Sequence, residues 1–249
     1  MTVVMITPLP RRTTIIGAGL LLLTACGKDP VRDLKSLKTQ VQYRYGKKDF
    51  VAGYDLAKKG FEAARSMLGD KAPDTLYFAQ AVSENALGKN DIPAAMKAMK
   101  VELDLRSKAG QAEDKLQRRR TLLIKLAEEN GDKPTSIEQT VIIAKSIGMS
   151  AGKDPQPTYR PESPYPADLA KARVEGDVEI GFNLDPTGAP QGLQVIRAVP
   201  ANTFDIAAME NFRRWRFTPF IENGQPVSSA GHKFMLAFRL EKAARPAGN

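Results

Sequence analysis

Between residues 176 and 184 apolar and polar side chains take strict turns. Val178, Ile180, Phe182 and Leu184 alternate with Asp177, Glu179, Gly181 and Asn183. A period of two puts the apolar set on one face of an extended chain, so the segment predicts a half-buried β-strand. Asp185-Pro186-Thr187-Gly188 follows as a turn, with Pro at its second position and Gly at its last. A second strand is expected over residues 193–199. The period then changes: Phe204, Ala208, Phe212 and Trp215, with Met209 alongside, recur at helical spacing. Thr203 is read as the N-cap of this helix and Asp205 as an acid in its first turn. Arg213, Arg214 and Arg216 gather in the expected last turn, where cations complement the helix dipole, and Pro219 bars further helix. Asn223-Gly224 signals a hairpin. Residues 231–240 close the pattern as a strand, with Phe234, Leu236, Phe238 and Leu240 on one face. The prediction is a small α+β unit in which one helix covers a short, mostly antiparallel sheet. The only Trp, Trp215, needs such a partner surface.

Upstream, residues 31–149 are polar, rich in Ala, Lys and Leu, and poor in Pro, which predicts helices. Two parts resemble each other at an offset of about 41 residues: Ala57 with Ala98, Ser66 with Ser107, Gly69 with Gly110, and Asp91-Ile92-Pro93 with Asp132-Lys133-Pro134. A repeat of that length built from paired helices predicts a stacked array. Pro93 and Pro134 sit where a helix tolerates a missing N–H, and Gly88 and Gly131 where helices stop. Gly53-Tyr54, Ala57, Phe61, Ala64 and Ala81 make the units similar to long tetratricopeptide repeats, the third (134–148) having only its first helix. Both a peptide-holding face and a plain spacer or dimerising bundle fit these residues. Leu116, Leu123, Leu126 and Ala127 form a core stripe, Arg118-Arg119-Arg120 a solvated face, and Phe50, Tyr54 and Phe61 are structural. The expected fold class is therefore α+β: an all-α helical-repeat domain (31–149), a Pro-rich semi-rigid linker (150–164), a small α+β domain (165–241) and a tail (242–249).

The chain opens with Arg11-Arg12, an apolar run over residues 15–23, and Leu23-Thr24-Ala25-Cys26. A basic region, a short apolar stretch and small residues before a cut site describe a secretory signal, too short for a stable membrane span. The single Cys directly after small residues resembles the bacterial lipobox. That resemblance implies a lipoprotein signal peptide (1–25), a lipid on Cys26 and a short tether (26–30). Gly27, rather than Asp, leans the anchor towards the outer membrane. A lone Cys has no partner for a disulfide within the chain.

Charge changes the picture modestly. The formal net charge is +9, and +7 once Arg11 and Arg12 leave with the signal. A basic surface on an exported chain suits acidic partners such as anionic head groups or peptidoglycan, or simply solubility. No glycine-rich phosphate loop or zinc-ligand spacing accompanies it, and nucleic acid is the wrong partner for an exported chain. The single His, His232, is expected at the surface of the last strand, and the carboxylates show no acid–base spacing. No catalytic, metal or cofactor residues are assigned, and the expectation is a protein that is not an enzyme.

Tyr165-Pro166, Glu175-Gly176-Asp177-Val178, the turn at 185–188, Pro200-Ala201-Asn202-Thr203-Phe204, Arg213-Arg214-Trp215-Arg216-Phe217-Thr218-Pro219 and the closing apolar strand follow one another in an order that resembles the TonB C-terminal domain. The resemblance implies that the last strand presents an unpaired edge, to which an extended segment of an outer-membrane receptor or other envelope protein adds as a further strand. Carried onto this chain, the partner-binding residues are Lys233, Phe234, Met235, Leu236, Ala237, Phe238 and Arg239, with Tyr165 and Pro166 near the partner. Glu162-Ser163-Pro164 departs from the family's amide-rich version of that approach. An energy transducer of this family keeps an N-terminal membrane helix and a long spacer, whereas here a helical repeat replaces most of the spacer. The expectation is a periplasm-facing lipoprotein that captures partners by strand addition. The alternatives are a genuine transducer with an uncleaved anchor and a structural scaffold contacting peptidoglycan.

Overall fold

The computed structural model describes residues 30–162 and 165–240. The signal peptide, Cys26, residues 163–164 and the tail expected at 242–249 lie outside the described residues.

Six helices come first: α1 (Pro30–Gly46), α2 (Phe50–Leu68), α3 (Pro73–Gly88), α4 (Ile92–Lys108), α5 (Glu113–Glu129) and α6 (Lys133–Ser146). The 41-residue offset has a local cause. Asp91 and Asp132 are N-caps whose carboxylates accept from Ala94 N and Thr135 N, and a Pro follows in each first turn. Asp49 caps α2 in the same way, accepting from Ala52 N. Successive helices pack closely because small residues face large ones. A Cβ on Gly60 would lie 2.3 Å from the Phe78 ring, and Phe78 is fully buried. Leu116, Leu123, Leu126 and Ala127 are buried together with Met96, Met99 and Leu103.

The arginine run departs from the solvated face expected of it. Arg120 is buried and donates to Glu113 and Gln139, while Arg119 donates to Glu102. Consecutive helical residues diverge by about 100°, so three neighbouring arginines cannot share one exposed face.

Residues 150–164, read as a spacer, contain strand β1 (Pro157–Tyr159). After α7 (Ala167–Lys171) come β2 (Gly176–Leu184), β3 (Pro190–Val199), α8 (Asp205–Phe212), β4 (Arg216–Phe217), β5 (Phe220–Glu222), β6 (Gln225–Val227) and β7 (Ser229–Phe238). β2 lies between β3 and β7 in a three-stranded antiparallel sheet, and β1–β4 and β5–β6 form two small pairs. Val178, Ile180, Phe182 and Leu184 meet Phe204, Ala208, Phe212, Trp215 and Phe217 in one core. The Asn223-Gly224 turn joins β5 to β6 with φ positive at both residues, as a tight hairpin requires.

The covering helix is shorter than its apolar spacing predicts. Thr203 is not its cap: Phe204 holds that position, and the Thr203 hydroxyl donates to Ala201 O in the tight turn before it. Arg213 and Arg214 lie beyond the helix, and Arg216 lies in β4. Unwinding after Phe212 lets both Trp215 and Phe217 reach the core, stacked 5.8 Å apart.

β1 binds the two halves together. Prolines without N–H groups are tolerated at a strand start, and Gln156 and Thr218 exchange hydrogen bonds beside β1. Tyr159 packs with Ile124 of α5 and Ile143 of α6. Thr158 and Thr140 hydroxyls lie 3.2 Å apart. Arg216, 9 % exposed, donates through Nη2 to Glu128 Oε1 at 2.8 Å, and Glu128 itself is 2 % exposed.

Candidate functional site

An antiparallel strand with a neighbour on one side turns every second N–H and C=O to the other. β3 and β7 are both edge strands, and their registers against β2 separate them. β3 is interrupted twice, between Glu179 and Ile180 and between Gly181 and Asn183. β7 pairs without a break from Gly176↔Phe238 to Phe182↔His232, seven consecutive pairs, and shifts only towards Leu184↔Ser229. Bulges twist an edge away from further pairing, whereas an unbroken edge is a template for it. Among the described residues no strand pairs with the outer side of β7.

The side chains of β7 divide by face. Phe234, Leu236 and Phe238 are half-buried against the core, and Lys233, Met235 and Ala237 are exposed. Arg239 lies one residue past the strand, where Nη2 reaches Asp177 Oδ1 at 2.6 Å and Nη1 reaches Gly176 O at 2.7 Å. Leu240 N donates to Glu175 Oε1. These bonds pin the end of β7 to the start of β2. Tyr165 sits under the same end, edge-on to Phe204 at 5.6 Å and to Phe238 at 6.1 Å, with its hydroxyl donating to Val174 O. Burial pushes its phenol above the usual range. Pro166 caps α7. The structure thus places residues 233–238 along the β7 edge strand, with Tyr165 packed on the core face beneath its Phe238 end.

The other end of β7 is braced differently. His232 is half-buried between Phe182 and Phe220, with Nε2 2.7 Å from Ser229 Oγ, so it is not the free surface residue expected. Burial lowers its pKa, opposed by the charge of Asp154. Midway along, the Arg160 guanidinium lies 5.0 Å from the Trp215 ring centre and 5.5 Å from that of Phe234. No local pattern marks this lid over two core rings, because Arg160 lies in the Pro-rich stretch and reaches them only once β1 has docked. The turn after β2 is fixed by Asp185, whose Oδ1 accepts from Thr187 N and Ala189 N. Burial raises the pKa of Asp185, but hydrogen bonds from Thr187, Ala189 and Gln191 outweigh it and hold the group below the ordinary range.

Among the described residues no group of three or more His, Cys, Asp and Glu side chains is placed to hold a metal ion. No described helix is long and apolar enough to cross a membrane.

These features define a class: a helical array docked onto a small α+β domain whose sheet ends on an unbroken open edge. Residues 161–240 match the family described as Gram-negative bacterial TonB protein C-terminal. Protein TonB of Klebsiella pneumoniae is 31% identical over 114 residues, 45% of this chain and 44% of that protein. Protein TonB of Escherichia coli (strain K12) is 34% identical over 79 residues, 32% of this chain and 31% of that protein. The solution NMR structure of the Pseudomonas aeruginosa TonB CTD is 27% identical, covers 38% of this chain and 96% of that one, and superposes with a TM-score of 0.32. The chain spans under half the length of the curated relatives it matches.

Proposed function

We propose that this protein is a periplasm-facing, non-enzymatic binding lipoprotein that takes up an extended segment of an outer-membrane receptor or other envelope protein along the outer side of β7. The observation that carries this reading is the unbroken seven-pair register of β7 with its far side open among the described residues. Backbone groups of the incoming strand supply affinity, and Lys233, Met235 and Ala237 on one face of the edge supply choice. Arg239 and Tyr165 hold the strand end in place, and Pro166 starts the short helix beside it. The match of residues 161–240 to the TonB C-terminal family supports a link to transport across the outer membrane. A lipid on Cys26 anchors the chain, with the outer membrane favoured.

The test uses the chain from residue 26 onwards, isotopically labelled, with peptides taken from receptor N-terminal segments. Amide shifts concentrated on residues 232–239 are expected. Shifts confined to β3 or to the helices would refute the proposed edge. Metabolic labelling with a palmitate analogue, abolished by Cys26→Ser, is expected for the anchor, and an unlabelled full-length precursor would remove it.

A further inference from the structure

Between α3, α4 and α5 an open cavity of about 360 Å³ is lined by Gln80, Glu102, Arg106, Arg119, Lys115 and Arg118, among others. Its floor holds an unequal set of charges. Glu102 is 3 % exposed at its side chain and is its only carboxylate. One oxygen accepts from Arg106 Nε at 3.1 Å, and the other from Arg119 Nε and Ser83 Oγ, each at 3.0 Å. The Arg106 and Arg119 side chains are only 17 % and 19 % exposed, so two largely desolvated guanidiniums share one negative charge. Arg106 is further fixed by donating to Gln111 Oε1 and Gln80 Oε1. Lys115 and Arg118 stand exposed at the mouth, with no ion-pair partner among the described residues. Leu116 and Leu122 form an apolar wall, which concentrates the field of these cations.

Four cations against one carboxylate leave the cavity short of negative charge. Exposed arginines would be screened by water, but here two are held rigid and largely out of it. We propose that this cavity is a binding site for a small multivalent oxyanion, a polycarboxylate or a phosphate. Its group lies over Arg119 and Arg106 and is gripped from outside by Lys115 and Arg118. Guanidinium forks match both carboxylate and phosphate oxygens, and the volume suits a compound of metabolite size. The site lies on the helical array and is independent of β7.

Isothermal titration of the chain from residue 26 with citrate and with pyrophosphate, at low ionic strength, tests the proposal. One-to-one binding is expected for at least one of the two, and whichever binds tighter identifies the preferred group. Lys115→Gln and Arg118→Gln are exposed changes that spare the buried network, and each should weaken binding by roughly tenfold. Lys35→Gln, an exposed lysine on α1, should leave it unchanged. Absence of binding by either anion, or equal weakening by Lys35→Gln, would overturn the proposal by reducing it to general attraction between a basic protein and an anion.

Discussion

Replacing Glu128 by Ala probes whether the helical array and the sheet domain behave as one body. The carboxylate is 2 % exposed and meets Arg216 at 2.8 Å, Ser136 Oγ at 2.5 Å and Lys133. Lys133 is 55 % exposed, so its share is small. Arg216 is 9 % exposed, and without Glu128 it keeps only Thr187 Oγ1, at 3.3 Å, as a side-chain acceptor. Removing one partner of a buried pair strands the other charge and costs about 3–5 kcal/mol. Glu128→Gln keeps the shape and an acceptor and should cost less. The assay is urea unfolding followed by two signals. Trp215 is the only Trp and reports the sheet core, while circular dichroism at 222 nm reports mainly the helices. In the wild type the two transitions should coincide. In Glu128→Ala they should separate, with the fluorescence midpoint falling further. A loss below about 1 kcal/mol, or wild-type transitions that are already well apart, would refute the coupling. The pH dependence has a definite sign. Burial works against the Glu128 charge, but Lys133, Ser136 and Arg216 outweigh it and hold the pKa below the ordinary carboxylate value. The stabilisation is therefore complete above the unfolded value of about 4.3 and is lost as pH falls through the lower folded value. The advantage of wild type over Glu128→Gln should shrink in that window.

Two further outcomes follow from the same packing. Gly188 has φ +78°, and a Cβ there would lie 1.9 Å from Phe217 O, so Gly188→Ala should destabilise by roughly 2 kcal/mol or more in thermal unfolding; a neutral result would mean that the turn can shift away from β4. Burial disfavours the charged form of His232 and lowers its pKa, so its contribution to stability is full above its unfolded pKa of about 6.5 and is lost as pH falls towards the depressed folded value. His232→Gln should flatten that part of the pH–stability curve, and an NMR titration placing the imidazole at or above 6.5 would contradict the assignment.

The sheet was legible because its signal is local. Alternation from Val178 to Leu184 fixes which face is buried, and the observed β2 has the bounds that this alternation sets. Asn223-Gly224 and the Asp-x-Pro helix starts are equally local, since each states a backbone conformation that few other residues adopt. The end of α8 was not legible. Phe212 and Trp215 fit a helical stripe, but two aromatic rings and Phe217 fill the core better when the chain unwinds between them. The arginine run misled for a related reason: composition says that arginines prefer water, but not that Glu102 waits on α4 and Gln139 on α6.

The sequence by itself determined an α+β chain, a helical array of about 41-residue period, and a closing apolar strand that packs one face on a core. Whether that strand lies at an edge, and which edge is unbroken, depends on pairing between residues some fifty positions apart, as in Phe182↔His232. The same holds for the docking of 157–159 and the Glu128–Arg216 pair, 88 residues apart. Local patterns choose backbone conformation and the buried face because those depend on neighbours along the chain. Edges, buried ion pairs and cation-rich cavities depend on which distant surfaces meet, and only the folded arrangement decides that.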